Sequence, residues 1–485
     1  MNTTSTSHLR KTLPAFLLLT AALALSSATV ARAATVSNWL ALTITNPTPA
    51  AVNYFGDPVA VMGLDRLLIG AAQDDTGAGN AGVAYLLSIS GALLTTFTNP
   101  TPAYEDFFGS SVAAVGPDRV LIGAPNDGTG AIRAGAAYLF SSNGALLTTF
   151  TNPAPAYNDF FGSSVAAAGT DRVLIGASGD ETSGIDSGGA YLFSTNGALL
   201  TSFNCPAPAF AAYFGASVVD VGINQVVIGA PHITPIVHYP GAAYMFSTNG
   251  ALTTTFTNPS PAANDGFGAS VATVGTDRVL IGAPHKSTGA SEVGAAYLFS
   301  TNGTLLTSFT NPAPAEYDKF GYSLAAVGTD CVLIGTLGAF NSGAAYLFST
   351  NGALLSTFAR PTPAIGAYFG SSVTAVGTNR VLIGASGDNT GASGAGAAYL
   401  FSLEQITPPA PSLSTSRNPS LSTLTISWPA PAEGWLLEST NALPSVASSS
   451  WPPVPPPYQT NAGTISVTFT NQPATGNQFF RLRQP

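Results

Sequence analysis

The stretch FGSSVAAVGPDRVLIGAP, residues 108–125, decides the architecture. Ser111 to Val115 is a short apolar run, Gly116-Pro117-Asp118 is a turn, and Val120-Leu121-Ile122 is a second run that ends at Gly123-Ala124-Pro125. Two strands joined by a hairpin follow from that pattern. A polar loop leads to Ala136-Ala137-Tyr138-Leu139-Phe140, then to Ser142-Asn143-Gly144 and a last run from Ala145 to Thr151. Asn-Gly is a tight-turn signal because both residues tolerate positive φ. The unit therefore predicts four short antiparallel strands. Runs such as Val120-Leu121-Ile122 do not alternate, which fits strands buried on both faces and not the long alternating strands of a membrane barrel.

The same plan recurs along the chain. Phe-Gly stands at Phe55, Phe108, Phe161, Phe214, Phe267, Phe320 and Phe369, spaced 53 residues five times and then 49. A Gly-Ala-Pro-like triplet follows each at Gly70, Gly123, Gly176, Gly229, Gly282, Gly335 and Gly384. Tyr85, Tyr138, Tyr191, Tyr244, Tyr297, Tyr346 and Tyr399 mark the third strand. Seven four-stranded units of about 50 residues are propeller blades. Leu42 to Pro49 copies the fourth-strand segment Leu94 to Pro100, whereas no fourth strand follows Tyr399-Leu400-Phe401. The N-terminal strand is thus expected to complete the seventh blade, which closes the ring and covers an edge.

The order Phe-Gly-Ser-Ser-Val-Ala, Val-Leu-Ile-Gly-Ala-Pro, Gly-Ala-Ala-Tyr-Leu-Phe resembles the FG-GAP repeat, the blade unit of integrin α-subunit propellers and of many bacterial secreted proteins. The resemblance covers residues 40 to 402 and implies partner recognition or adhesion through loops on one face. Some blades of that family carry an Asp-x-Asp-x-Asp-Gly calcium loop between the first two strands. Here that connection is as short as Val115-Gly116-Pro117-Asp118-Arg119-Val120. One carboxylate cannot supply the six to eight oxygens that calcium takes, so no metal and no cofactor are expected at these turns. The Asp-Arg pairs, such as Asp65-Arg66 and Asp277-Arg278, read as polar hairpin-turn residues.

Composition narrows the partners. Only 8% of the 485 residues are charged, 45% are hydrophobic, and the net charge is −9 with 15 Lys and Arg. A core is affordable in such a chain, and a phosphate-binding patch is not, so nucleic acid is excluded as a partner. His8, Arg10 and Lys11 precede an apolar run from Leu13 to Leu25, and Ala31-Arg32-Ala33 is a small-x-small site; residues 1–33 read as an export signal. No later run is long enough to span a bilayer, so no membrane insertion is expected. Cys205 and Cys331 lie at non-equivalent places in distant units and are expected to stay unpaired.

The stretch between the second and third strands varies most from unit to unit, and in a propeller it shares a face with the blade-to-blade connections. That face is the expected functional one. Its acidic loops include Asp127, Asp180 and Asp388, which read either as turn formers or as an oxygen-rich rim for a hydroxylated ligand or a cation. The fourth unit breaks the pattern with His232, His238 and Tyr239, and His285 in the fifth unit occupies the place of His232. These seven residues are the candidate ligand contacts. No nucleophile set or paired-carboxylate motif accompanies them, so no catalytic residue is assigned.

After Phe401 a Pro- and Ser-rich linker, residues 403–420, leads to a small β-sandwich-like domain, residues 421–485. It carries Trp428, Trp435 and Trp451, as core anchors or as a platform for sugars or a partner. It resembles the fibronectin-III-like appendages of secreted bacterial proteins. The sequence as a whole predicts an all-β, non-enzymatic, secreted or surface-associated recognition module, a seven-bladed propeller closed by its N-terminal strand, whose partner is an extracellular protein or glycan. The alternatives are a polysaccharide hydrolase or lyase on a propeller scaffold, and a structural envelope or matrix protein.

Overall fold

The computed structural model describes residues 36, 38–182, 184–231, 240–338 and 340–403, and in the C-terminal part residues 413–418, 423–429, 436–440, 452–454, 458–461, 464–470 and 479–483. The expected export signal lies outside these residues. Seven four-stranded antiparallel sheets form the blades. In blade 2 the strands are Ser111–Val115, Arg119–Ala124, Ala136–Ser141 and Leu146–Thr151, joined in sequence order. The innermost strand of each blade touches that of the next around a complete circuit.

Blade 7 is built from both ends of the repeat region. Its strands Phe369–Val376, Arg380–Ala385 and Ala397–Leu403 are completed by Asn38–Thr45, which pairs antiparallel with the third, Ile44 opposite Ala398. The ring is closed as the displaced copy of the fourth strand predicts.

The apolar core is divided into seven, one cluster between each pair of neighbouring blades. Between blades 1 and 2, Met62, Leu68, Leu86 and Phe97 meet Phe108, Val120, Ile122, Tyr138 and Phe140. Phe108 is fully buried, with the Tyr138 ring at 5.8 Å and the Phe140 ring edge-on at 6.0 Å. Edge-to-face packing suits the ring quadrupoles and adds to the gain from burial.

Glycines set how closely the blades approach. A Cβ on Gly123 would lie 2.1 Å from the carbonyl oxygen of Gly162, the glycine of the next Phe-Gly pair. Gly135, with φ of 83°, faces the carbonyl of Phe161 equally closely. Phe161 in turn donates its backbone N–H to Ala134. Each Phe-Gly pair is therefore gripped by two glycine-bearing segments of the preceding blade.

Three side-chain bonds to backbone carbonyls lace a typical junction, from axis to rim. Ser111 donates to Gly162 at 2.7 Å, Arg119 to Thr170, and Thr148 to Thr195 at 2.8 Å. The turn arginines thus tie neighbouring blades as well as pairing with their own turn aspartates, as Arg119 does with Asp118 at 3.7 Å, and Arg380 reaches Leu64 across the closure. Cys331 takes the arginine's place in blade 6; it and Cys205 are buried and free.

In the C-terminal part, strands Ser414–Asn418, Thr423–Pro429, Thr464–Thr470 and Gln459–Asn461 form one sheet, and Leu436–Thr440 pairs with Phe479–Arg483. Its first strand lies within the stretch expected as linker, because its alternation of small polar residues leaves little hydrophobic signal. Trp428 is a core anchor, buried against Tyr458 with ring centroids 5.2 Å apart. Trp435 and Trp451 lie outside the described residues.

Gly123→Ala is expected to lower stability by about 2–3 kcal/mol through overpacking of the junction. Gly128→Ala, at a position with nothing within 4 Å, is expected to be near neutral. Calorimetric unfolding of the two variants checks this; equal transition temperatures would contradict it.

Candidate functional site

The face that carries the loops between second and third strands surrounds the mouth of the axial channel. The residue after each Phe-Gly pair projects a ring there: Asp57, Ser110, Ser163, Ala216, Ala269, Tyr322 and Ser371. Together with Pro284 and His285 this ring lines a cavity of about 420 Å³. Five of the seven members are Ser or Ala. Asp57 in blade 1 and Tyr322 in blade 6 break the pattern.

Outside the ring lies a collar formed by the residue before each Phe-Gly pair. Tyr54, Phe107, Phe160, Tyr213, Lys319 and Tyr368 all hold a left-handed backbone, with φ between 52° and 54°. In blade 5 the position is Gly266. Left-handed aromatic residues cost energy and persist only where their surroundings enforce them. The enforcement is visible: the N–H of Phe107 donates to Asn80 of the preceding blade at 3.2 Å, and that of Tyr54 to Gly394 at 3.1 Å. Tyr54, Phe107 and Tyr368 join Asp57, Tyr322, Gln73, Ser110 and Ser386 around a second cavity of about 460 Å³ at the same mouth.

The electrostatics single out Asp57. Burial pushes its carboxyl up to about 7. Its charge, more than burial, raises the phenol of Tyr322, which sets the two groups close across the mouth. Among the described residues no hydrogen bond satisfies the Asp57 carboxylate, and the lining of both cavities includes no other carboxylate and no Lys or Arg. The hydroxyls of Ser110 and Ser371, in the blades on either side of Asp57, also have no protein partner.

His285 does reach this mouth. Its Nδ1 lies 3.1 Å from Glu292, which also pairs with Lys319 at 3.4 Å. Burial lowers the imidazole's pKa, and Glu292 opposes that shift. His232, His238 and Tyr239 lie outside the described residues.

Asp127, Asp180 and Asp388 go elsewhere. They are 3%, 2% and 0% exposed, and their carboxylates turn inward to the blade junctions. Asp127 accepts from Tyr138 at 2.6 Å and from both the N–H and hydroxyl of Thr129. Asp180 accepts from Tyr191 and from Asn152 at 3.1 Å. Asp388 takes a two-pronged contact from Arg360, at 2.6 and 3.1 Å. Turn chemistry accounts for these residues, and none of them is among the residues that line the mouth. Sequence reading missed Asp57 and Tyr322, although the column after Phe-Gly, Ser or Ala in every other unit, carries the signal.

The junctions differ in charge. Asn99 bridges Asp106 and Asp127 at 2.8 and 3.4 Å, and Asn152 likewise joins Asp159 and Asp180. Where blade 5 replaces the loop aspartate by Lys286, the ammonium pairs with Asp265 at 3.1 Å. Where blade 7 keeps Asp388, Arg360 replaces the asparagine and Ala367 the second aspartate. Into blade 4 the junction becomes Cys205 and Ala212, without a carboxylate at either place.

The FG-GAP repeat model matches residues 97–140, 149–193, 253–299 and 363–401. The chain is an FG-GAP repeat β-propeller. Among solved structures, this FG-GAP chain is similar to the C-terminal WD40 domain of Sif2, with a TM-score of 0.44 at 10% identity over 77% of this chain and 99% of that one. It is also similar to BBS1N in complex with ARL6DN, with a TM-score of 0.43 at 10% identity over 77% of this chain and 97% of that one. The GH74 xyloglucanase from Xanthomonas campestris gives a TM-score of 0.49 at 12% identity, covering 81% of this chain and 59% of that one. No curated protein sequence matches the chain.

The paired carboxylates set a pH response. Burial pushes Asp106 and Asp159 up to about 6, with Asp127 and Asp180 adding to the rise. The unfolded chain ionises near pH 4, so these groups contribute stability that is full below about pH 4 and lost as the pH climbs through about 6. Asp388 acts oppositely: burial would raise it, but Arg360 and the hydroxyls of Thr390 and Tyr399 hold it low, so its contribution is lost in acid. In thermal melts, Asp106→Asn with Asp159→Asn is expected to flatten the decline in transition temperature between about pH 4 and 6. An unchanged slope would contradict the assignment.

Proposed function

We propose that this FG-GAP propeller is exported and serves as an extracellular recognition module that binds a glycan or a protein at the axial mouth, without turnover. The observation that carries the reading is the mouth itself. A carboxylate without a hydrogen-bond partner lines it, among aromatic residues held in a strained backbone. Each cavity is large enough for one sugar ring or one protein side chain. The leader-like N-terminus supports export.

A single carboxylate favours binding over glycoside hydrolysis, which canonically needs two facing one bond. The unprotonated Asp57 is a strong acceptor above about pH 7. Binding of a neutral ligand that donates to it is therefore expected to strengthen from pH 6 to pH 8.

The test is a binding screen of the chain from Ala34 onward against immobilised glycans and extracellular proteins, with product analysis in parallel. Saturable binding without products is expected. Asp57→Ser and Tyr322→Ser, which restore the residue of sibling blades, are expected to weaken it by about tenfold or more. Accumulating sugar products would overturn the non-enzymatic reading, and full binding by both variants would overturn the mouth as the site.

A further inference from the structure

We propose that a cavity beside the junction of blades 5 and 6 takes a primary ammonium on an alkyl stem, the side chain of a lysine on a partner protein. The site stands apart from the axial mouth and takes its own partner. The neighbouring junction shows the same frame filled by the chain itself. There the ammonium of Lys286 donates to Oδ2 of Asp265 at 3.1 Å and to the carbonyl of Ser260. The amide of Asn258 and the N–H of Ala262 donate to the same oxygen at 2.6 and 2.9 Å. Three donors thus converge on one oxygen of a buried carboxylate.

Blade 6 repeats the frame without the lysine. Asp318 and Ala313 hold the places of Asp265 and Ser260, two and seven residues before the phenylalanine of Phe-Gly. Oδ2 of Asp318 accepts from Asn311 at 2.7 Å and from the N–H of Ala315 at 2.8 Å, and among the described residues no third donor reaches it. The chain from Gly335 to Tyr346 is four residues shorter than from Gly282 to Tyr297, and a cavity of about 500 Å³ stands beside the shortened loop. Asp318, Ala313 and Tyr346 line it. Tyr346 is 5% exposed, with its ring against Phe320, and its hydroxyl lacks the loop carboxylate that Tyr138 and Tyr399 bond. Burial, and after it the charge of Asp318, raises the pKa of this phenol, which sets the two groups close together.

The ligand's chemistry follows from these groups. Oδ2 of Asp318, the carbonyl of Ala313 and the hydroxyl oxygen of Tyr346 are three acceptors for the three N–H bonds of an ammonium. A guanidinium fork wants both carboxylate oxygens, and Asn341 already donates to Oδ1 of Asp318 at 2.6 Å. An anion would meet the buried carboxylate with no Lys or Arg in the lining to offset it. The rim is apolar: Phe340, edge-on to Tyr317 with ring centroids 5.3 Å apart, and Ile365 are 67% and 79% exposed. A lysine lays its methylene stem along such surface while its charged head reaches the polar floor. The protein that carries the lysine covers the rest of the rim, which a small free cation leaves exposed.

Fluorescence anisotropy with the chain from Ala34 onward would use a labelled, end-blocked peptide with a single lysine, its arginine and acetyl-lysine counterparts, and 1,5-diaminopentane as free competitor. Saturable binding of the lysine peptide is expected, weakened about tenfold or more in either counterpart. Asp318→Asn is expected to weaken it by a similar factor, whereas Asp171→Asn, which removes an exposed charge from another blade, leaves it unchanged. Tyr346→Phe removes a hydroxyl and keeps the ring, so it tests the site even where Asp318→Asn loses the fold. Residues 284–293, which carry Lys286, grafted in place of 337–342 are expected to fill the cavity and abolish binding. No binding of the lysine peptide, equal binding of the arginine peptide, or insensitivity to both Tyr346→Phe and the graft would overturn the site. Diaminopentane that binds as tightly as the peptide would overturn a protein as the source of the ammonium. None of these results bears on recognition at the mouth.

Discussion

Everything in the propeller depends on how closely two glycines of neighbouring blades approach. At all seven junctions a Cβ on the glycine that follows the second-strand Leu-Ile or Val-Ile run would fall 1.8–2.2 Å from the carbonyl of the glycine in the next blade's Phe-Gly pair. That contact seats the phenylalanine in the inter-blade core and fixes the residues on either side of the Phe-Gly pair. One of those neighbours becomes the axial ring and the other the aromatic collar. The motif that marks the repeat in sequence is therefore also what builds the candidate site.

Around this contact the polar groups at each junction vary from blade to blade. Two aspartates share an asparagine, or one aspartate takes Lys286, Asn341 or Arg360, or Cys205 and Ala212 remove the charge altogether. A buried carboxylate is tolerated only when hydrogen-bonded or paired, and each of these combinations but the last provides that. The covariation within one chain indicates that these residues answer to packing between blades. The outliers of the axial ring, Asp57 and Tyr322, have no such partner.

The blades were legible because each strand is bounded by turn residues and because a fourfold pattern recurs seven times; one unit alone would have left strand order open. Closure was legible from the displaced copy of the fourth strand, which the pairing of Ile44 with Ala398 realises. Direction of side chains was not legible. Asp127, Asp180 and Asp388 look like a rim in sequence, yet their loops curl so that each carboxylate caps its own turn and meets a tyrosine eleven residues on. Asp57 and Tyr322 were hidden by their setting beside an invariant-looking pair, where attention falls on Phe and Gly. The strand Ser414–Asn418 was hidden because its Ser, Thr and Arg pattern carries no apolar period.

Recognition is proposed at the axis rather than on the blade rims or the C-terminal sandwich. Hydrogen exchange on the chain with and without a bound extracellular ligand tests that most directly. Protection confined to the segments around Tyr54–Asp57, Phe320–Tyr322 and Tyr368–Ser371 is the predicted result. Protection of the outer strands such as Leu93–Thr98, or of the sheet that holds Trp428, with the mouth unchanged, would contradict it.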